Sequence, residues 1–395
     1  MPLPPVAGFR WSGVEAGIKK RGGLDLGLVV ADSPASVAAI VTTNLVCAAP
    51  VVLAKRHAAR GVAAAFLVNS GCANACTGDR GRETAWATTV ACADALGVDP
   101  RRVLPASTGV IGAPLPAERL IAALPRAVEA LRPDGAADFA AAIMTTDRGP
   151  KTAFAEVPLG RKRITIAGVA KGAGMIHPNM ATTLAFVVTD ARVGAPVLRR
   201  ALRDAAADTF NAASVDGDTS TNDMIAIMAS GAAGGPPVQS EKDAARFTSK
   251  LRDVLDHLAR MIVADGEGSR HLVEIEVVDA RSERDARLAA GAIATSPLVK
   301  TAFHGQDPNW GRIVAAAGRS GARFDPERCT LWVGDVVLLR RGTPTGPEPE
   351  QRAHEVMTRP DYRVRLSLGA GTARARHLAC DLGADYVRCN ADYRS

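Results

Sequence analysis

Two adjacent threonines, Thr182 and Thr183, close a run of small residues near the middle of a 395-residue chain; Gly172, Ala173, Gly174, Pro178, Asn179, Met180 and Ala181 lead up to them. Apolar, β-branched runs at 164–170 and 184–189 flank this run, so it joins two expected buried strands. A hydroxyl at the mouth of a buried strand is accurately placed, and glycines beside it leave backbone N–H groups within reach, which is what a nucleophile requires. An internal threonine has no base of its own. As a first residue it has one, because an α-amine with a pKa of roughly 7.7–8.0 can take the hydroxyl proton. Ala181 is small enough for Thr182 Oγ to attack its carbonyl, so the run admits a chain that cuts itself to expose its nucleophile. A plain glycine and proline turn between core strands has the same spacing.

Other residues could serve such a group. The small-residue loop 103–112 can offer a hydroxyl and an unpaired N–H side by side, as an oxyanion needs, and a plain turn has the same composition. Lys171 opens the central run, where an ammonium in an apolar site would attract an α-carboxylate. Glu267 lies between Gly266 and Gly268 at a helix-to-strand junction, where a carboxylate can approach a ligand closely and bind an ammonium or relay its proton. Asp216, Asp218 and Asp223 stand close together among hydroxyl and amide side chains, but their spacing is not that of a calcium loop, and no metal is assigned.

Positioning these groups requires an α/β chain. Short strands are expected at 24–30, 37–41, 66–69, 152–157, 271–278 and 362–368, and helices at 83–96 (with Trp86 and Val90 on its apolar period), 117–131, 195–210 and 241–264. The last shows Phe247, Leu251, Val254, Leu258 and Met261 on one face. Residues 341–350, rich in Gly, Pro and Glu, read as an exposed loop, and 386–395 as a tail.

Composition narrows the class. Apolar residues make up 47% of the chain, ample for a core, and no stretch is long enough to span a bilayer. The N-terminus lacks the features of a signal peptide, so a cytoplasmic enzyme is expected. Seven scattered cysteines form neither a disulfide framework nor a zinc pattern. The net charge of +7 is dispersed, and aromatics are only 4%, which argues against a nucleic-acid surface. Gly369-Ala-Gly371 lacks the third glycine of a dinucleotide loop.

Taken together, the Pro178-Asn-Met-Ala-Thr182 run, Ser107-Thr-Gly-Val-Ile-Gly112, Thr145-Thr-Asp147, the 216–223 aspartate run, the 296–312 segment and the C-terminus resemble the ornithine acetyltransferases, bifunctional glutamate N-acetyltransferase/amino-acid acetyltransferases of arginine biosynthesis. The resemblance implies an α/β, self-cleaving fold with an N-terminal threonine nucleophile, mixed sheets layered with helices, shared with the β-peptidyl aminopeptidases. It implies cleavage between Ala181 and Thr182 into an alpha chain, 1–181, and a beta chain, 182–395, which stay together as a heterotetramer or larger. It assigns Thr182 as nucleophile, Thr108 and Gly109 as oxyanion hole, Glu267 as proton relay, and Thr145, Lys171, Glu267, Asn390 and Ser395 as contacts for N2-acetyl-L-ornithine and glutamate. No cofactor is implied, with acetyl-CoA open as a co-substrate. Cys72 and Thr183 depart from the family's usual residues and motivate the alternative of a related acyltransferase acting on another N-acyl amino acid, and the likeness to the β-peptidyl aminopeptidases keeps an amidohydrolase as a second alternative.

Overall fold

The computed structural model describes residues 3–159, 162–177 and 183–391. Two mixed sheets layered with helices carry the architecture, as the α/β expectation requires. Among the described residues, the first sheet runs in the order Val103–Val110, Val62–Cys72, Leu26–Val41, Met224–Ala229, Leu184–Thr189, Lys162–Lys171, Lys151–Leu159, with Phe9–Val14 paired to Leu26–Val41. The second follows Thr343–Pro344, Val336–Arg340, Thr330–Val333, Asp361–Ser367, Leu272–Ala280, Ala373–Cys380, Ala213–Ser214. Parallel and antiparallel pairs occur in both.

The centre of the first sheet explains its apolar sequence. Along Leu184–Thr189 every residue is buried, and successive side chains enter different cores. Ala185 and Val187 face the helices Ala195–Ala207 and Glu241–Ala264, whereas Leu184, Phe186 and Val188 face Phe9, Phe66 and Phe139. Rings in that second layer follow one another, Trp11 on Phe139 at 5.2 Å, Phe139 on Phe186 at 5.5 Å, Phe186 on Phe66 at 5.2 Å. Each such pair adds about 0.5–1.5 kcal/mol beyond the area it buries.

The long helix is the one read from the sequence, Glu241–Ala264, begun by Ser240 Oγ accepting from Asp243 N at 3.1 Å. Phe247, Leu251, Val254 and Leu258 are buried, while Met261 is only partly so, at the helix's solvent margin. Three expectations change. The runs 24–30 and 37–41 are one strand, Leu26–Val41, because exposed Asp32, Ser33 and Pro34 are absorbed as a register shift between Val30 and Ala35. The expected loop 341–350 holds the short strand Thr343–Pro344 and the first turn of the helix Pro347–Met357, where proline at a helix start costs no hydrogen bond. Trp86 is 45% exposed, because the helix Gly78–Leu96 turns its small residues, Ala85, Thr88, Cys92 and Ala93, inward instead.

Lys171 stands opposite Leu184 in the ladder, so the two strands deliver the central run to one end of the first sheet. Val103–Val110, ending at the same region, brings Thr108 and Gly109.

Candidate active site

A cleft opens at this end, lined by Thr108, Gly109, Thr145, Lys171, Glu267 and Asn390 together with residues of the 220–222 and 174–175 loops. Six of the expected site residues, from five separate parts of the chain, therefore share one cavity. Ala181, Thr182 and Ser395 lie outside the described residues.

Lysine chemistry centres the arrangement. Lys171 is 4% exposed, and its Nζ donates to Thr145 Oγ1 at 2.8 Å and to Thr108 Oγ1 at 3.3 Å. Burial draws this ammonium below the usual lysine range, opposed chiefly by the Asp147 carboxylate 3.9 Å away. Asp147 holds the surroundings together: Oδ1 accepts from Gly172 N at 2.6 Å and from Lys151 Nζ at 2.7 Å, and Oδ2 from Thr145 N at 3.0 Å. Burial would raise its pKa, but Lys171, Lys151 and these N–H groups outweigh burial and hold it at about 2. Lys151 Nζ then reaches Asp265 Oδ2 at 2.5 Å, two residues before Glu267. One buried ammonium thus ties the Thr145–Lys171 wall to the Glu267 wall.

Two glycines make room. Gly109 has φ +130°, and a Cβ there would lie 2.4 Å from Gly71 C, so a side chain is excluded at this part of the cleft wall. A Cβ on Gly174 would lie 2.5 Å from Glu267 Oε2, so glycine alone lets that carboxylate pack against the central run. Glu267 is fixed further by its N–H to Ala173 O at 2.9 Å and by Asn390 Nδ2, which donates to Oε2 at 2.9 Å. The expected tail is a helix, Ala384–Ala391, folded onto the site.

Several residues of the site were not assigned from the sequence. Asp147, Lys151 and Asp265 act as the electrostatic tie just described. Asn222 donates to Ala73 O at 2.7 Å and Ser107 O at 2.9 Å, and so fastens the 216–223 run to the strand Val103–Val110 beside Thr108. The density of Asp and Asn in 216–223 was the available signal. Cys72 is buried behind the cleft, opposite Thr108 in the ladder, with Sγ donating to Ala113 O at 3.3 Å. Thr183 is buried, its N–H given to Asp223 Oδ1 at 2.9 Å.

The sequence family decides what this geometry belongs to. A model of the ArgJ family matches residues 10–395. The chain belongs to the ArgJ family. This ArgJ family member is 51% identical to the arginine biosynthesis bifunctional protein ArgJ of Geobacter sulfurreducens, over 99% of this chain and 100% of that protein. It is 47% identical to the protein of the same name from Symbiobacterium thermophilum, over 98% and 97%. Among solved structures, a chain of ArgJ from Bacillus halodurans superposes with a TM-score of 0.51 at 40% identity, covering 53% of this chain and 98% of its own.

Proposed function

We propose that the chain transfers the acetyl group of N2-acetyl-L-ornithine to L-glutamate in arginine biosynthesis, through an acetyl ester on Thr182 formed after cleavage between Ala181 and Thr182. The observation that carries this reading is the single cleft joining Thr108, Gly109, Thr145, Lys171, Glu267 and Asn390 in a chain matched by the ArgJ family almost end to end. Thr182, with its α-amine as base, attacks the acetyl carbonyl. The Thr108 hydroxyl and Gly109 N–H carry the oxyanion, and ornithine leaves. Glutamate enters the same cleft, and its amine gives up a proton to Glu267 or the Thr182 amine as it takes the acetyl group. Both substrates present an α-carboxylate to Lys171 and Thr145, with Asn390 and Ser395 closing the site. The name bifunctional borne by the relatives leaves acetyl-CoA open as a second acetyl source, which transfer from labelled acetyl-CoA to glutamate tests.

Cleavage into 1–181 and 182–395 is in keeping with the Bacillus halodurans chain, which covers 53% of this one, about the length of one such part. The two parts remain associated in a heterotetramer or larger assembly, in the cytoplasm. Among the described residues no helix is long and apolar enough to cross a membrane.

Intact mass with N-terminal sequencing tests the cleavage, and transfer of labelled acetyl from N2-acetyl-L-ornithine tests the reaction. Two fragments, the second beginning at Thr182, and label in N-acetylglutamate are expected. An uncut 41.0 kDa chain that transfers at full rate, or label released as free acetate, refutes the reading.

A further inference from the structure

The 296–312 segment carries part of the sequence resemblance yet contributes no residue to the described wall of the cleft. Its helix Pro297–His304 instead grips the chain between the strand Ala373–Cys380 and the tail helix Ala384–Ala391. Lys300 is buried, its Nζ donates to Cys380 O, and its own carbonyl accepts from Leu382 N at 3.1 Å. His304 Nδ1 lies 2.7 Å from Asp381 Oδ2. Burial would raise the Asp381 carboxyl, but the Arg270 and His271 N–H groups and His304 outweigh it and hold the group below the usual carboxylate range, so the acid is ionised and the ring nitrogen is the donor. Asp381 Oδ1 takes both of those N–H groups, at 2.8 Å each, just beyond Glu267. One buried carboxylate thus ties His304, the Glu267 loop and the start of the tail together.

Two glycines press the tail into this clamp. A Cβ on Gly383 would overlap the His304 ring, and one on Gly268 would overlap Tyr386 N, so the imidazole and the Glu267 loop both lie against the backbone where the tail helix begins. The helix needs such anchors. Eight residues make a marginal helix in water, and among the described residues it buries none of its own side chains. Arg270 and Asp385 add a solvent-screened contact of 3.5 Å, and the Tyr386 hydroxyl donates to Asp216. From the last turn Asn390 Nδ2 reaches Glu267 Oε2 at 2.9 Å. Where the helix starts therefore decides where Asn390 lies in the cleft.

We propose that His304, acting through Asp381, is the positioning residue that seats the tail helix and so sets Asn390 against Glu267 at the cleft. Its effect on turnover rests on the function proposed above, with Asn390 as a substrate contact, whereas the placement itself is a property of the chain that is measured without substrate. His304 is not part of the cleft wall, so its removal acts on substrates only through the tail, and the enzyme then behaves as one that lacks Asn390.

Hydrogen exchange of the full protein, read by mass spectrometry on peptides, follows the tail directly. In His304→Ala the amides of 384–391 are expected to exchange at least about tenfold faster, with the strand Leu272–Ala280 as protected as in wild type. His304→Asn, whose side-chain N–H stands close to the place of Nδ1, is expected to restore the protection. Kinetics supply the second readout: His304→Ala and Asn390→Ala each raise KM for N2-acetyl-L-ornithine about tenfold, and the double variant is no worse than the more severe single one. A tail as protected in His304→Ala as in wild type overturns the proposal, as does a His304→Asn tail as loose as that of His304→Ala. Loss of protection that spreads to Leu272–Ala280 makes His304 a support of the whole second sheet and overturns it as well. Losses that add in the double variant overturn it too, since residues that act separately add. A wild-type enzyme that does not turn over N2-acetyl-L-ornithine refutes the function proposed above, while the exchange measurements still decide the clamp.

Discussion

Lys151 and Asp147 form an ion pair of 2.7 Å with side chains 2% and 0% exposed, and neither touches the cleft. The pair earns its place through what each partner also holds. Asp147 orders Thr145 and Gly172, and Lys151 orders Asp265 beside Glu267. Desolvating two charges makes such a pair weak evidence for stability as a whole, but removing one partner strands the other.

Asp147→Asn is therefore expected to lower unfolding stability by about 3 kcal/mol, read from denaturant midpoints at a constant slope. Because Thr145 and Lys171 lose their anchor, kcat/KM for both substrates should fall with it. A variant with wild-type stability and kinetics would show that the network is incidental.

Thr108→Val keeps the shape of the side chain and removes its O–H. If that hydroxyl carries the oxyanion, kcat drops about 10²–10³-fold, equivalent to roughly 2.7–4 kcal/mol, with a smaller change in KM. Single-turnover acetylation of the protein by N2-acetyl-L-ornithine measures the step directly, and a loss confined to KM would assign Thr108 to substrate binding instead.

Two buried carboxyls give stability opposite pH dependences. Asp147 is held at about 2, below the ordinary value of 3.8, so folding favours its ionised form. Its contribution, on the order of 2 kcal/mol, is complete above the unfolded pKa and is lost as pH falls from about 4 toward 2. Asp223 is raised, so folding favours its protonated form, and that contribution is complete below the unfolded pKa and lost as pH climbs through the folded one. Urea midpoints across this range should drop on the acid side in wild type, and Asp147→Asn should flatten that drop. An acid limb unchanged in the variant would place the titration elsewhere.

What the sequence disclosed depended on how local the signal was. Leu184–Thr189 and Glu241–Ala264 were legible because burial on both faces and a 3.6-residue stripe are written in consecutive residues. Leu26–Val41 was not, since Ser33-Pro34 ends a strand locally yet is tolerated where the chain bulges out of the sheet. Trp86 misled for a similar reason: size suggested burial, but the neighbouring helices and strands leave room only for alanine, threonine and cysteine. In the cleft, Lys171 and Glu267 stood out by their glycine settings, whereas Thr108, Thr145 and Asn390 were reached through the resemblance to the ornithine acetyltransferases. The Lys151 bridge showed in neither way, because it depends on sheet pairing and on a helix end more than a hundred positions away.

Strands Met224–Ala229 and Leu184–Thr189 sit between Leu26–Val41 and Lys162–Lys171, so the polypeptide after residue 182 supplies the middle of a sheet whose flanks precede it. Cleavage as proposed would turn melting into a dissociation of two fragments, with a midpoint dependent on protein concentration, a dependence that the uncut Thr182→Ala chain would lack. Dilution alone then destabilises the processed enzyme, and neither fragment can complete that sheet without the other.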